Sequence, residues 1–260
     1  MKKPYQLHTI PRTRIATFDI YAVGMQKHHV PALLEFDVTD SRKKIRELRR
    51  SGEKISFNAW LLKVIGKTLE LHPVVSSYLK NKKSLITFND INISIMVEKD
   101  DGDKKVPIPL VLEKVNEKSI TEITTEIEKA RQLELSKEDI VLNRKSQRYE
   151  RIYYRLPESL RRVFWRYLLR HPHSAYRMMG NAVVTSLGPV GRINGWFIHN
   201  TVHPVSFGVG SVIKKPVVVN DEIKIREILN MTVLFDHDVI DGAPMVRFVN
   251  DLTKFIEKDN

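Results

Sequence analysis

The sequence predicts one α/β domain (an α+β sandwich): a mixed central β-sheet with helices packed on it. Three observations predict it. Strand-like and helix-like segments interleave along the chain, and several of the strands fall in hairpin-like pairs. No internal repeat or low-complexity linker divides residues 1–260, so a single domain is expected. A chain of this length that is 42% hydrophobic can also bury a substantial core.

The elements follow in order. LLEFDVTD (33–40) reads as a strand running into a helix cap, and SRKKIRELRRSG as a helix closed by Gly52. Ser56 or Asn58 can cap the next helix, whose Leu61, Leu62, Ile65, Leu69 and Leu71 mostly suit a 3.6-residue period. Pro73 ends it. INISIMVE (91–98) alternates Ile91, Ile93, Ile95 and Val97, the pattern of a half-buried strand. After the turn KDDGD, VPIPLVLE reads as a strand whose prolines suit a sheet edge. Ser119 and Glu122 form a capping box for SITEITTEIEKARQLE. PVSFGVGSV and PVVVN lead to an Asn220-Asp221 turn, and EIKIREIL and MTVLFD read as the two last strands. The closing helix gathers Met245, Phe248, Val249, Leu252, Phe255 and Ile256 on one face.

Composition narrows the function. With no cysteine, a disulfide framework, a thiol nucleophile and a cysteine-based zinc site are excluded. No apolar run is long enough to cross a bilayer, and no signal peptide is visible, so a cytoplasmic protein is expected. The net charge of +12 suits polyanionic partners. No zinc-finger spacing or RNP-like aromatic motif points to nucleic acid, which leaves a polyanionic small ligand such as coenzyme A, an anionic membrane surface, or a generally basic surface with no specific partner.

The stretch 151–180 is aromatic and basic. A helix over roughly 157–170 places Leu160, Val163, Phe164, Tyr167 and Leu168 on one stripe, flanked by Arg161, Arg162, Arg166 and Arg170. Such a helix either covers the core or contacts an anionic membrane or a partner. His171 and His173 are too few for a metal site, and no metal is expected.

Chemistry concentrates in FDHDVIDGAP (235–244), where His237 stands four residues before Asp241 and Gly242 follows. This segment resembles the active-site segment of the acyltransferase components of 2-oxo-acid dehydrogenase complexes, which share a fold with chloramphenicol acetyltransferase. KISFNAWLLKVIGKTLELHP, INISIMVEKDDGDKKVPIPLVLEKVNEKSITEI, NAVVTSLGPVG and PVSFGVGSVIKKPVVVNDEI are similar to further stretches of that family. Residues 141–180 have little counterpart and read as an insertion.

The resemblance implies a chloramphenicol acetyltransferase-like fold and an acyl group moving between coenzyme A and a thiol, hydroxyl or amine. His237 would be the general base, because a near-neutral imidazole can take the acceptor's proton. The oxyanion needs a fixed donor. The family's serine hydroxyl is replaced here by Thr185 in VTSLG, 52 residues before His237; Ser186 is the fallback. Asp241 would hold the histidine loop in shape, paired with Arg14, with Arg12 competing. Gly242 would supply tight turn geometry or a close backbone approach. Residues that bind the coenzyme are not identifiable. The family further implies a homotrimer with active sites between subunits, here a lone trimer since FIEKDN is polar. The acceptor is a small molecule or a lipoyl group on a separate protein, with no lipoyl attachment expected on this chain.

Overall fold

The structure, a computed structural model, describes residues 5–10, 14–101, 104–132, 152–187, 191 and 193–257. In chain order its elements are α1 (Arg14–Gly24), β1 (His29–Asp37), α2 (Thr39–Arg50), α3 (Phe57–Leu71), a 3-10 turn (Pro73–Ser76), β2 (Tyr78–Asn81), β3 (Ser84–Ile86), β4 (Ile93–Asp101) and β5 (Lys104–Leu112). There follow α4 (Ile120–Gln132), α5 (Glu158–Arg170), α6 (Pro172–Met179), β6 (Ala182–Ser186), β7 (Val205–Val219), β8 (Glu222–Asp236) and α7 (Gly242–Glu257).

Six strands form a mixed sheet in the order β1-β8-β7-β6-β4-β5. The β4–β6 and β6–β7 pairings are parallel; the other three are antiparallel. β5 lies at the edge, where Pro109 can do without its missing N–H. The hairpin expected as four short strands is two 15-residue strands. Asn220 and Asp221, at φ 53° and 61°, supply the two left-handed residues of its two-residue turn. Pairing of β7 with β8, shifted once at an irregularity between Val209 and Val212, carries both strands through the polar interruptions that divide the sequence pattern.

Helices α2, α3, α4 and α7 cover one face of the sheet and bury a single apolar cluster. Ile91, Ile93, Ile95 and Val97 all lie in it, as do Leu61, Leu62, Ile65 and Leu69 of α3. Leu71, expected on the same stripe, is instead exposed at the last turn of α3. Phe248 of α7 is fully buried, its ring 5.7 Å from Phe235 and 6.2 Å from Phe207. Each such ring contributes roughly 1.5–3 kcal/mol through removal from water. The caps read from sequence close as hydrogen bonds. Ser56 Oγ accepts from Ala59 N at 3.1 Å, and Ser119 N donates to Glu122 Oε2 at 2.7 Å while Glu122 N donates to Ser119 Oγ.

A second, smaller cluster gathers Val23, Tyr78, Trp165, Leu168, Ala175, Met179 and Val202. It attaches α5 and α6 to α1 and to the β2–β3 hairpin. The buried carboxylate of Asp19 on α1 accepts from Tyr153 Oη at 2.6 Å and from Arg161 Nε at 2.7 Å. The face of α5 turned inward is therefore Arg161, Trp165 and Leu168. Leu160, Val163, Phe164 and Tyr167, grouped by period as a stripe that could cover the core, are exposed. A buried charge needing its partner outweighs the apolar periodicity here.

α6 delivers the chain to β6 through Gly180, at φ +76°, where a Cβ would fall 2.3 Å from Asn92 O. Only glycine fits. Asn181 N donates to Asn92 O at 2.9 Å and Asn181 Oδ1 accepts from Asn92 N, which sets β6 beside β4.

Candidate active site

His237 stands just past the end of β8, exposed, in a loop held from several directions. Its backbone N donates to His28 O at 2.9 Å, and Asp236 N donates to Pro204 O at 3.0 Å. Asp236, 1% exposed, pairs with Lys27 and accepts from Asp238 N at 3.3 Å. Asp236 O accepts from the N–H groups of Val239 and Ile240, whose side chains are buried beneath the turn. His28 Nδ1 lies 3.0 Å from Asp238 Oδ1. The imidazole thus projects from a loop whose backbone is pinned to the segment leading into β1.

Lys27, His28 and Asp236 went unnoticed in sequence. Asp236, which directly precedes His237, was the available signal; Lys27 lies more than 200 residues away, and nothing local links the two.

Thr185 is half-buried on β6. Val184 belongs to the core, so by strand alternation Thr185 projects from the opposite face of the sheet and Ser186 returns to the core side. Thr185 stands opposite Gly208 of β7, and Gly208 opposite Thr232 of β8. The missing side chain at Gly208 leaves room for a covering segment. A Cβ there would lie 3.0 Å from His199 Nδ1 and 3.2 Å from Phe197 Cζ.

Two expectations about the loop are corrected. Arg14 and Asp241 are not paired within the subunit: Arg14 is exposed, its guanidinium carbon 5.7 Å over the Phe18 ring. Asp241 is exposed as well, and its carbonyl accepts from Met245 N at 3.3 Å in the first turn of α7. The clamp on the loop is Lys27–Asp236 instead, because Asp236 is buried and must be matched. Arg12 lies outside the described residues. Gly242 neither adopts positive φ nor approaches another backbone; a Cβ there would meet nothing within 4 Å.

His237 and Thr185 do not meet within one chain. Thr232 is level with Thr185 two strands across, and His237 lies five residues beyond Thr232. At about 3.3 Å per residue and about 4.8 Å per strand, their Cα atoms stand roughly 19 Å apart, beyond the reach of both side chains.

Three further histidines crowd this end of the sheet. His29 Nε2 lies 3.0 Å from His203 O, and His203 is held between Met179 O and Thr201 Oγ1. Burial pushes both His199 and His203 down to about 4, and His29 in the same direction. All three rest neutral at pH 7. Among the described residues, no group of three or more histidine, aspartate and glutamate side chains is placed to hold a metal.

The mixed six-stranded sheet, with helices packed on one face, is a chloramphenicol acetyltransferase-like fold. Chloramphenicol acetyltransferase itself superposes over 99% of this chain and 100% of its own with TM-score 0.51 at 11% identity. The chain belongs to the family of 2-oxoacid dehydrogenases acyltransferase (catalytic domain), which matches residues 21–141 and 177–260. The acetyltransferase component of the Haemophilus influenzae pyruvate dehydrogenase complex is 27% identical over 235 residues, covering 86% of this chain and 34% of that protein. The curated relatives it matches are longer: the chain spans about a third to a half of them. Dihydrolipoamide acetyltransferase of Azotobacter vinelandii superposes with TM-score 0.69 at 19% identity, covering 98% of this chain and 93% of that one. That structure comes from an investigation of a serine, a histidine and an asparagine in its catalytic mechanism.

Replacing Lys27 with Met leaves the Asp236 carboxylate buried without its cation. The unfolding free energy should fall by about 3 kcal/mol, read from urea denaturation. A pH dependence follows from His199 and His203. Their folded values lie near 4 and the unfolded value is 6.5, so below pH 6.5 the unfolded chain takes up protons that the native state refuses. The urea midpoint should decline as pH falls from 6.5 toward 4, and His203→Asn should flatten that slope.

Proposed function

We propose that this chain transfers an acyl group between coenzyme A and an acceptor thiol, at a site completed by two neighbouring subunits of a homotrimer. The observation that carries the reading is the separation of His237 from Thr185. Each sits at an accessible position, in a family of acyltransferase domains, yet only a second copy can bring them together. In the Azotobacter enzyme the investigated serine, histidine and asparagine are spaced by 52 and then four positions, the spacing of Thr185, His237 and Asp241. An acceptor on a lipoyl group suits the name of that relative, dihydrolipoamide acetyltransferase.

The chemistry follows from the residue types. His237 of one subunit takes the proton of the acceptor thiol, and the thiolate adds to the thioester carbonyl of acyl-coenzyme A. The new oxyanion accepts a hydrogen bond from Thr185 Oγ of the neighbour. Collapse of the adduct breaks the carbon–sulfur bond to coenzyme A, whose thiolate recovers the proton from the imidazolium. The +12 charge of the chain favours approach of the coenzyme's phosphates.

A mixing experiment tests the reading. With acetyl-coenzyme A and dihydrolipoamide, His237→Ala and Thr185→Val should each lose about 100-fold in kcat, while Thr185→Ser stays near the wild-type rate. After denaturation together and refolding, the two inactive variants should regain about a quarter of wild-type activity, since one site in four then draws both intact groups from different subunits. Failure to regain activity would remove the shared site.

A second reading concerns α5. Leu160, Val163, Phe164 and Tyr167 are exposed beside Arg166 and Arg170, an arrangement that suits an anionic lipid surface. Flotation at low salt with vesicles containing phosphatidylserine should carry the wild-type chain but not Val163→Glu/Tyr167→Glu. Equal flotation of the two would end this reading.

A further inference from the structure

Among the described residues, four buried side-chain atoms have no hydrogen-bond partner: His199 Nδ1, Thr232 Oγ1 and both amide atoms of Asn230. Strand alternation assigns Asn230 and Thr232 to the face of β8 that carries neither Met231 nor Val233, and thus to the face of Thr185. Over this face lies the segment 193–201. Gly195 O stands 3.2 Å from where a Cβ of Gly210 would be, and His199 Nδ1 3.0 Å from that of Gly208. The two glycines of FGVG let the segment lie flat on β7. An unpartnered polar atom in such a place costs about 1–3 kcal/mol, so a cluster of four calls for a ligand or ordered water.

His199 has a defined tautomer. Its Nε2 is bonded to Ser206 Oγ. Ser206 is fully buried and, among the described residues, its hydroxyl has no other acceptor; satisfying that hydroxyl sends its hydrogen to Nε2 and leaves the ring proton on Nδ1. Burial holds the ring at about 4, which keeps it neutral with Nδ1 a donor only.

The geometry points to His199 Nδ1–H as a second hydrogen-bond donor to the acyl carbonyl oxygen, acting beside Thr185 Oγ in the row Thr185–Gly208–Thr232. This rests on the acyl-transfer reading and adds a catalytic residue to it. The row places Thr185 one strand from Gly208, and His199 Nδ1 stands above Gly208. The two donors are therefore about 5 Å apart, a separation at which one oxygen can lie within about 2.8 Å of both. Thr232 Oγ1 flanks the same point from β8 and can orient the thioester or hold a bridging water.

The test uses the full chain with acetyl-coenzyme A and dihydrolipoamide. Asparagine places an amide N–H near the position of Nδ1, glutamine near that of Nε2, and leucine offers none. His199→Leu should lower kcat about 100-fold with KM for acetyl-coenzyme A within twofold, His199→Gln should do the same, and His199→Asn should recover to within tenfold of wild type. Urea midpoints and molecular mass in solution establish that the variants fold and assemble. Histidine nitrogen NMR gives a readout free of turnover: the ring at 199 should be neutral with hydrogen on Nδ1, and hydrogen on Nε2 would overturn the assignment. Full kcat in His199→Leu also overturns it and identifies the cluster as a water site only, while leaving the function of His237 and Thr185 intact. No turnover by the wild-type chain takes down the acyl-transfer reading and this inference together.

Discussion

The register of three neighbouring strands governs the geometry of the site. Thr185, Gly208 and Thr232 lie side by side across β6, β7 and β8, and the parallel β6–β7 pairing puts them there. That row is fixed by the Gly180 corner and the mutual hydrogen bonds of Asn92 and Asn181, which start β6 at one residue and no other. A slip by one residue would turn Thr185 into the core and bring Ser186 out. Because β8 then runs four more residues before the histidine loop, the distance between Thr185 and His237 is a property of the sheet itself. A second subunit is a geometric necessity for acyl transfer by these two residues.

The histidine loop answers to a different part of the chain. Its hydrogen bonds and its buried ion pair lead to residues 27 and 28, which also start β1. The antiparallel β1–β8 ladder begins at His29 and Asp236, so the same residues that open the ladder hold the loop. Rigidity at His237 comes from long-range closure, and the residues beside it in sequence contribute mainly Val239 and Ile240 as buried anchors.

Local physics made much of the fold legible. The apolar positions at 91–97, the capping box at Ser119, the cap at Ser56 rather than Asn58 and the apolar face of the last helix are written in spacings of two, three and four residues; the stretch at 91–97 departs from the half-buried reading in that Asn92 and Ser94 are buried as well. What could not be read were pairings across long sequence distances. Asp236 looks like a strand-end polar residue until Lys27 is beside it. The inward face of α5 looks wrong by period until Asp19 is seen to claim Arg161. The Arg14–Asp241 pair failed for the converse reason: two charges carry no information about distance, and both remained at the surface. In the candidate site, His237 and Thr185 were legible through family likeness, whereas His199 was not. Its meaning depends on the close approach of segment 193–201 to two glycines of β7.

Residues 142–176 fall between the two stretches that the family matches. The described part of this stretch, from residue 152 on, is tied to the rest of the protein by the second apolar cluster and by Asp19, which is 2% exposed and accepts from Tyr153 and Arg161. A chain lacking the region would keep that carboxylate but lose the phenol and guanidinium that neutralise it. Asp19 and helix α5 are consequently a coupled pair: replacing either side leaves a buried charge unmatched on the other, so a change at one position is tolerated best together with a change at its partner.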